Sequence, residues 1–471
     1  MQEQFGREMH EECAVVGTTS VDLPASFLTF QALSALQLRG EEASGIATYE
    51  NKLSVHKGLG RVDNVFNKRV LRKKLSGNTA TGHNRYSTSG DPKKHMSPID
   101  DQALAFAYQE NGNNPEPEYL AEELHQRGLN PHDMNDSESK GHLIASEIRQ
   151  GYDLPTAVER LYSRLGGATM SVAMHGDLIV AFKDPYGIRP GALGRLPDGG
   201  LMVASETSAL DTVSAEVIQE IGAGEMVTMQ GKEYEFTRLT EERKRKLDIF
   251  EILYFSSPDS IQFDEYIAEY RTRLGEQLAL EHPVNSDIVI PVPSSGQFAG
   301  EGYADTLGIP RPTALMKNRY IQRTFILPEQ LRNKALLNKI RPIPSRVKDK
   351  EVTAIDDTKV RGSTMRVLVQ KLRAAGAKKV NVGIASPPVR FADYYGIDTK
   401  SQDELIAANM DHDEIKKYLD ADDLFYLSMD GMLKALQIPQ EKLNLSCFTG
   451  EYPIDIGRRK LEVRSPKYEV T

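Results

Sequence analysis

The apolar positions follow two different patterns along the chain. From Cys13 to about Arg238 they come in short runs that end at turn-forming residues. Segments 13–19 (CAVVGTT), 44–50 (SGIATYE), 169–184 (TMSVAMHGDLIVAFKD) and 200–207 (GLMVASET) read as strands. His175-Gly176-Asp177 supplies a tight turn inside the third run. Helical stretches interrupt them at Pro24 to Leu38, Pro117 to Arg127 and Gly141 to Gln150, the first opening on a proline that an initial helical turn tolerates. The mixture predicts sheets covered by helices, an α+β layer arrangement.

The solvated charge cluster Glu241-Glu242-Arg243-Lys244-Arg245-Lys246 marks the change of pattern, and the domain boundary is expected near it, between 238 and 239. Beyond it, 286–293 (SDIVIPVP), 351–357 (EVTAIDD) and 379–388 (KVNVGIASPP) are apolar runs that stop at polar, Gly or Pro residues. Helical segments such as Thr364 to Ala375 lie between them. Strands alternating with helices predict a parallel α/β sheet with its site at the carboxyl edge.

Size and charge narrow the function. A chain of 471 residues is too long for one ordinary core and fits two domains. Its net charge of −9 argues against a general nucleic-acid or membrane-surface binder, but not against local phosphate sites. Residues 1–12 are mostly polar, which argues against a secretory signal, and no apolar run approaches the roughly 18 residues of a membrane span. A cytoplasmic protein is expected. Two cysteines, Cys13 and Cys447, provide no disulfide framework.

The sharpest motif is 352–364. An apolar strand delivers Asp356 and Asp357 to its end, Thr358, Lys359, Val360, Arg361 and Gly362 form a loop, and a helix opens at Ser363 or Thr364. Backbone amides and hydroxyls at a helix N-terminus cradle phosphate. Paired carboxylates suit a ribose diol and Mg²⁺, which prefers oxygen ligands. A lone Asp-Asp pair would be read as an acidic helix cap; the full succession is more specific. It resembles the phosphoribosyl pyrophosphate signature of type I phosphoribosyltransferases. Pro291-Val292-Pro293-Ser294-Ser295-Gly296 reads as a second, pyrophosphate-gripping loop. Lys317-Asn318-Arg319-Tyr320 with Arg323-Thr324-Phe325 is either a solvated basic loop or a source of cations for a pyrophosphate leaving group.

Cys13 taken alone is most simply a small buried hydrophobe. Its context, Glu12-Cys13-Ala14-Val15-Val16-Gly17, resembles the start of class II glutamine amidotransferases, whose nucleophile is an N-terminal cysteine. Leu36-Gln37-Leu38-Arg39-Gly40 and Gly82-His83-Asn84-Arg85-Tyr86-Ser87-Thr88 resemble further segments of that class. With Ser386-Pro387-Pro388, Tyr395-Gly396-Ile397-Asp398 and Glu404-Leu405-Ile406-Ala407, the whole chain resembles the amidophosphoribosyltransferase family.

The resemblance implies an N-terminal-nucleophile glutaminase of αββα layers (13–238) joined to a type I phosphoribosyltransferase domain (239–471). Glutamine, water and phosphoribosyl pyrophosphate would give phosphoribosylamine, glutamate and pyrophosphate, the first committed step of purine synthesis. Cys13 would be the nucleophile, Asn111 and Gly112 the oxyanion hole, and Arg39, Arg85 and Asp136 the glutamine-binding residues. Lys317, Arg323, Asp356, Asp357, Thr358, Arg361, Gly362, Ser363 and Thr364 would bind phosphoribosyl pyrophosphate, with Ser295, Asp356 and Asp357 near Mg²⁺. Two bland readings stay open: Asn111-Gly112 as a hairpin turn, and Asp136-Ser137-Glu138 as a helix cap. Residues 1–12 would be a removable propeptide, because an α-amine of pKa about 7.7–8.0 can deprotonate a thiol of about 8.5 and an amide nitrogen cannot. Purine nucleotides as feedback inhibitors and a homo-oligomer are carried over from the family.

Departures from the family pattern fall at Leu38 (usually His), Glu110 (usually His), Ser257 (usually Arg), Gln322 (usually Gly) and near Leu337. The iron–sulfur cluster of some members needs four cysteines, so none is expected here, and Cys447 reads as the remnant of a cluster segment. Two rival functions follow. One is a sugar-isomerising class II amidotransferase, which has no use for the Asp-Asp loop. The other is a weakened relative that binds phosphoribosyl pyrophosphate or nucleotides as a regulator.

Overall fold

The structure, a computed structural model, describes residues 13–85, 95–116, 118–241, 245–317, 340–358, 360–395 and 401–467. Among the described residues, thirteen strands build the first half into two sheets: β1 (Ala14–Thr19), β2 (Ala43–Tyr49), β3 (Leu53–Leu59), β4 (Thr79–Arg85), β5 (Ile99–Asp101), β6 (Phe106–Asn113), β7 (Ala168–His175), β8 (Leu178–Lys183), β9 (Ala192–Arg195), β10 (Leu201–Ala204), β11 (Glu216–Glu220), β12 (Glu225–Gln230) and β13 (Glu233–Arg238). One sheet runs β11-β9-β10-β1-β4-β2-β3 and the other β13-β12-β8-β7-β6-β5. Their pairings are antiparallel.

The period-two alternation of β1 shows how the layers stack. Val15 joins Val172, Ile179 and Val227 in the core between the sheets. Its neighbours Ala14 and Val16 pack instead with Leu28, Ala32 and Leu33 of the helix Ala25–Ala35. On the opposite outer face, Tyr108 and Phe182 meet Leu143 and Ile144 of the helix Asp136–Arg149 and Leu161 of the helix Leu154–Leu165. Strands covered on both faces read as apolar runs rather than clean alternation. The result is the expected αββα stack.

In the second half, the strands Ile288–Pro291, Glu351–Asp356, Lys379–Ile384 and Asp423–Tyr426 form a parallel sheet in that order. Val289 and Ile355 pack on one side with Leu274, Leu278 and Tyr303. Val352, Ala354 and Val382 pack on the other with Leu368, Leu372 and Ile415. Parallel register brings the carboxyl ends of adjacent strands to one edge, with Pro291 opposite Ile355 and Asp356 opposite Ile384.

The halves are joined by main-chain bonds from Lys246 N to Tyr186 O (2.9 Å) and from Asp248 N to Ile188 O (3.1 Å). Arg189 adds a bond from Nε to Tyr395 O (3.0 Å). The segment 184–190 is therefore part of the joint.

Several boundaries differ from the sequence reading for local reasons. The first helix ends at Ala35 and tightens into a 3₁₀ turn over Leu36–Arg39. The helix expected from Gly141 begins at Asp136. Asn135 accepts from Glu138 N (2.8 Å) and Glu138 accepts from Asn135 N (2.9 Å), a capping box that extends the helix upstream. Asn111-Gly112 is no hairpin turn: both residues lie within β6, opposite Met170 and Thr169 of β7.

Candidate active sites

Cys13 sits at the head of β1, where the strand is flanked by β4 and β10. The 3₁₀ turn carries Arg39 beneath it, and Arg39 Nε donates to the Cys13 carbonyl (3.2 Å). The guanidinium is buried and pairs with Glu206 (2.7 Å) and, through both terminal nitrogens, with Glu251 (2.9 and 2.7 Å). Burial opposes its charge, but Glu251 and Glu206 more than restore it and raise its pKa. Glu206 in turn accepts from Ser257 N (2.8 Å) and Ser260 Oγ (2.6 Å). Arg39 therefore stands beside Cys13 with its charge balanced by carboxylates from both halves. Sequence reasoning missed Glu251, whose partner lies 212 residues away.

The strand β6 runs alongside this point. Gln109 Nε2 donates to Val16 O (3.4 Å), and the Glu110 carbonyl meets His83 Nε2 (3.1 Å), with His83 opposite Val15 in the β1–β4 pair. Continuing along β6 carries Asn111 and Gly112 toward the end of the sheet that holds Cys13 and Arg85. The Asn111 side chain is buried, and neither its Oδ1 nor its Nδ2 has a hydrogen-bond partner among the described residues. A buried amide left unpaired costs stability unless a ligand satisfies it. Gly112 is required by close approach, since a Cβ there would lie 2.0 Å from the Ala168 carbonyl. His83 is kept neutral: burial first, then the nearby Arg85 cation, pull its pKa down to about 3.

Asp136 begins its helix, but the cap is Asn135. That frees the Asp136 carboxylate for another partner, and its Oδ2 accepts from Asn114 N (3.0 Å), just past β6. Lost hydration and then the Glu110 carboxylate raise its pKa. Glu110, the departure from the family's histidine, is buried and accepts from Lys140 Nζ (2.8 Å), Thr169 Oγ1 (2.9 Å), Tyr108 OH (3.1 Å) and Ser137 Oγ (2.8 Å). Burial alone would raise its pKa, yet Lys140 holds it below the usual carboxylate range. Of the other departures, Leu38 is solvent-exposed and Ser257 lies on the Glu206 network. Gln322 and Leu337 lie outside the described residues.

The second constellation gathers at the edge of the parallel sheet. Asp356 ends its strand half-buried, and Asp357 follows it into the interior. Thr358 Oγ1 donates to Asp357 Oδ1 (3.0 Å), while Asp357 Oδ2 is buried with no partner among the described residues. Burial raises the Asp357 pKa, which the Ser295 hydroxyl and Arg271 partly offset. The loop 291–296 abuts this strand end: Val292 N donates to Ile355 O (2.8 Å), and a Cβ on Gly296 would lie 2.7 Å from the same oxygen. Lys317 reaches the loop through Nζ to Ser294 Oγ (2.8 Å). Gly362 takes the left-handed conformation (φ 74°) and starts the helix Ser363–Ala374, with Thr364 exposed at its N-terminus. Arg361 is turned to Glu404 (3.1 Å from Nε). Arg323 lies outside the described residues, as do Tyr86, Ser87, Thr88 and Lys359.

These distances place the expected glutamine groups along one end of the first sheet pair and the Asp-Asp loop at the sheet edge of the other half. Asn113 Nδ2 links the two regions by donating to Tyr394 O (2.8 Å). Among the described residues, no three His, Cys, Asp or Glu side chains are grouped to hold a metal ion by themselves. No helix among the described residues is long and apolar enough to cross a membrane.

No protein-family model matches the chain. It is 38% identical over 456 residues to an amidophosphoribosyltransferase of Synechocystis sp., covering 95% of this chain and 92% of the relative. It is 35% identical over 457 residues to that of Archaeoglobus fulgidus, covering 96% and 100%. Among solved structures, the glutamine phosphoribosylpyrophosphate amidotransferase from B. subtilis complexed with ADP and GMP superposes with a TM-score of 0.87 at 35% identity, covering 95% of this chain and 98% of that one. A structure described as the allosteric regulatory enzyme of purine biosynthesis also matches with a TM-score of 0.87, at 34% identity and 96% and 98% coverage. Full-length identity at this level, together with the same two-part fold, means that the chain belongs to the amidophosphoribosyltransferase family and is a glutamine-dependent phosphoribosyltransferase.

Proposed function

We propose that Cys13 attacks the glutamine amide after removal of residues 1–12, with its own α-amine as the base. Arg85 and Asp136 take the substrate's α-carboxylate and α-ammonium. The Asn111 side chain and the Gly112 amide receive the oxyanion of the tetrahedral intermediate. Arg39 acts as a positioning residue beneath the nucleophile, because carboxylates and the Cys13 carbonyl already engage its guanidinium. The observation that carries this reading is the Asn111 amide, buried with neither polar atom partnered among the described residues and set toward the Cys13 end of the sheets. Asn111→Ala is therefore expected to lower kcat for glutamine hydrolysis by about 10²–10³. Ammonia-dependent synthesis should stay near its original rate. An unchanged glutaminase in the folded variant would remove Asn111 from the site.

Ammonia then displaces pyrophosphate at ribose C1 in the second half, giving phosphoribosylamine. Asp356 and Asp357 orient the ribose hydroxyls. Thr358, Arg361, Gly362, Ser363 and Thr364 form the 5′-phosphate loop and helix N-terminus, and Lys317 and Arg323 neutralise the leaving group. Mg²⁺ fits the donor set: the Asp357 Oδ2 is buried and unpartnered among the described residues, Ser295 is within reach of that carboxylate, and pyrophosphate oxygens would complete a hard-oxygen shell. When bound, the ion would supply charge neutralisation for the departing pyrophosphate.

The domains are 13–238 and 239–471, close to where β13 ends. Purine nucleotides act as feedback inhibitors; the similar B. subtilis structure is complexed with ADP and GMP. A homo-oligomer working in the cytoplasm completes the proposal. The regulator-only alternative finds no support among these relatives, which are named for the enzyme.

A further inference from the structure

Glu110 joins three of the elements that carry proposed glutamine-site groups: the strand that ends in Arg85, the strand of Asn111 and Gly112, and the helix of Asp136. Its main-chain carbonyl meets His83 on β4, the strand that ends in Arg85. Its own strand continues directly into Asn111 and Gly112. Its carboxylate accepts from Thr169, the β7 residue opposite Gly112, and from Ser137, the residue after Asp136. The fourth arm is the fully buried ion pair with Lys140, one turn further along the Asp136 helix.

We propose that Glu110 and Lys140 are a pair of positioning residues for glutamine, locking the oxyanion strand to the helix that presents Asp136 and balancing the charge around that carboxylate. The inference rests on the assignment of Asp136 to the substrate ammonium. Asp136 faces Glu110 and Tyr108 from β6, Lys140 from its own helix and Tyr119 from the helix Glu118–Gln126. The His95–Glu138 pair (2.8 Å) lies at the cap of the same helix. Lys140 is the cation that offsets Glu110 at Asp136. Without it, two carboxylates in a poorly hydrated space favour uptake of a proton between them. The proton opposes binding of the substrate ammonium at neutral pH, and raising the pH removes it.

The test is the glutamine KM as a function of pH in the full-length mature enzyme. Lys140→Met should raise KM about tenfold or more near neutrality, with recovery as pH rises, and change kcat much less. Lys140→Arg, which keeps the cation, should retain the original pH profile. Glu110→Gln combined with Lys140→Met removes both charges and should restore most of the loss. Ammonia-dependent synthesis reports folding and should persist in all three. If Lys140→Met does not fold, the Arg and double variants decide. A KM increase that is flat with pH, or a double variant no better than the single, would overturn the proposal. Asp136→Asn separates the two layers: an unchanged KM there defeats the glutamine assignment itself. An increase there with no response to Lys140→Met defeats only the role of the pair.

Discussion

Combining Asp356→Asn with Asp357→Asn is expected to abolish phosphoribosylamine formation from glutamine and from free ammonia alike. The two carboxylates stand at different depths: Asp356 is half-buried at the strand end, and Asp357 is buried with one oxygen unpartnered among the described residues. Losing both removes orientation of the ribose and charge stabilisation together, effects worth several kcal/mol in rate. Cys13 should still react with a glutamine-like electrophile, though more slowly, because the ligand that organises the acceptor half binds poorly. Product assays with each nitrogen source check this, and retention of the ammonia reaction would contradict it.

The second large effect concerns the N-terminus. Protein that retains residues 1–12 should lack glutaminase activity, because the nitrogen of Cys13 is then an amide with no basicity to accept the thiol proton. Active preparations should begin at Cys13, and intact-mass measurement on the active fraction reads this directly. Full glutamine-dependent activity with the dodecapeptide attached would show that another base serves the thiol.

What the sequence made legible depended on how local the signal was. The Asp356–Thr364 succession is contiguous, so strand, loop and helix N-terminus could be read together, and the helix begins at Ser363 as expected. The β1 run and the β7–β8 hairpin were equally readable, since each apolar run and the turn at Gly176 lie within a few residues. Asn111-Gly112 was ambiguous because the dipeptide favours turns; only pairing with β7 fixes it inside a strand. Asp136 was ambiguous in the opposite sense, and the neighbouring Asn135 took the capping role.

The charge networks were not legible at all. Arg39 finds Glu206 and Glu251 across 167 and 212 residues, and Glu110 finds Lys140 across 30. Such partners have no shared spacing in sequence. Burial is what makes them consequential, because a buried charge that loses its partner is strongly destabilising. The departure at Glu110 was visible in sequence, but its meaning required seeing the lysine that answers it.

The most direct test of the central claim, two chemically separate sites in one chain, is synthesis by Cys13→Ala with two nitrogen sources. If Cys13 only releases ammonia, the variant should make no phosphoribosylamine from glutamine. With ammonium salts at high pH, where free ammonia is abundant, it should make product at close to the unmodified rate. Loss of the ammonia-dependent reaction in a folded Cys13→Ala protein, or survival of the glutamine-dependent one, would contradict the account.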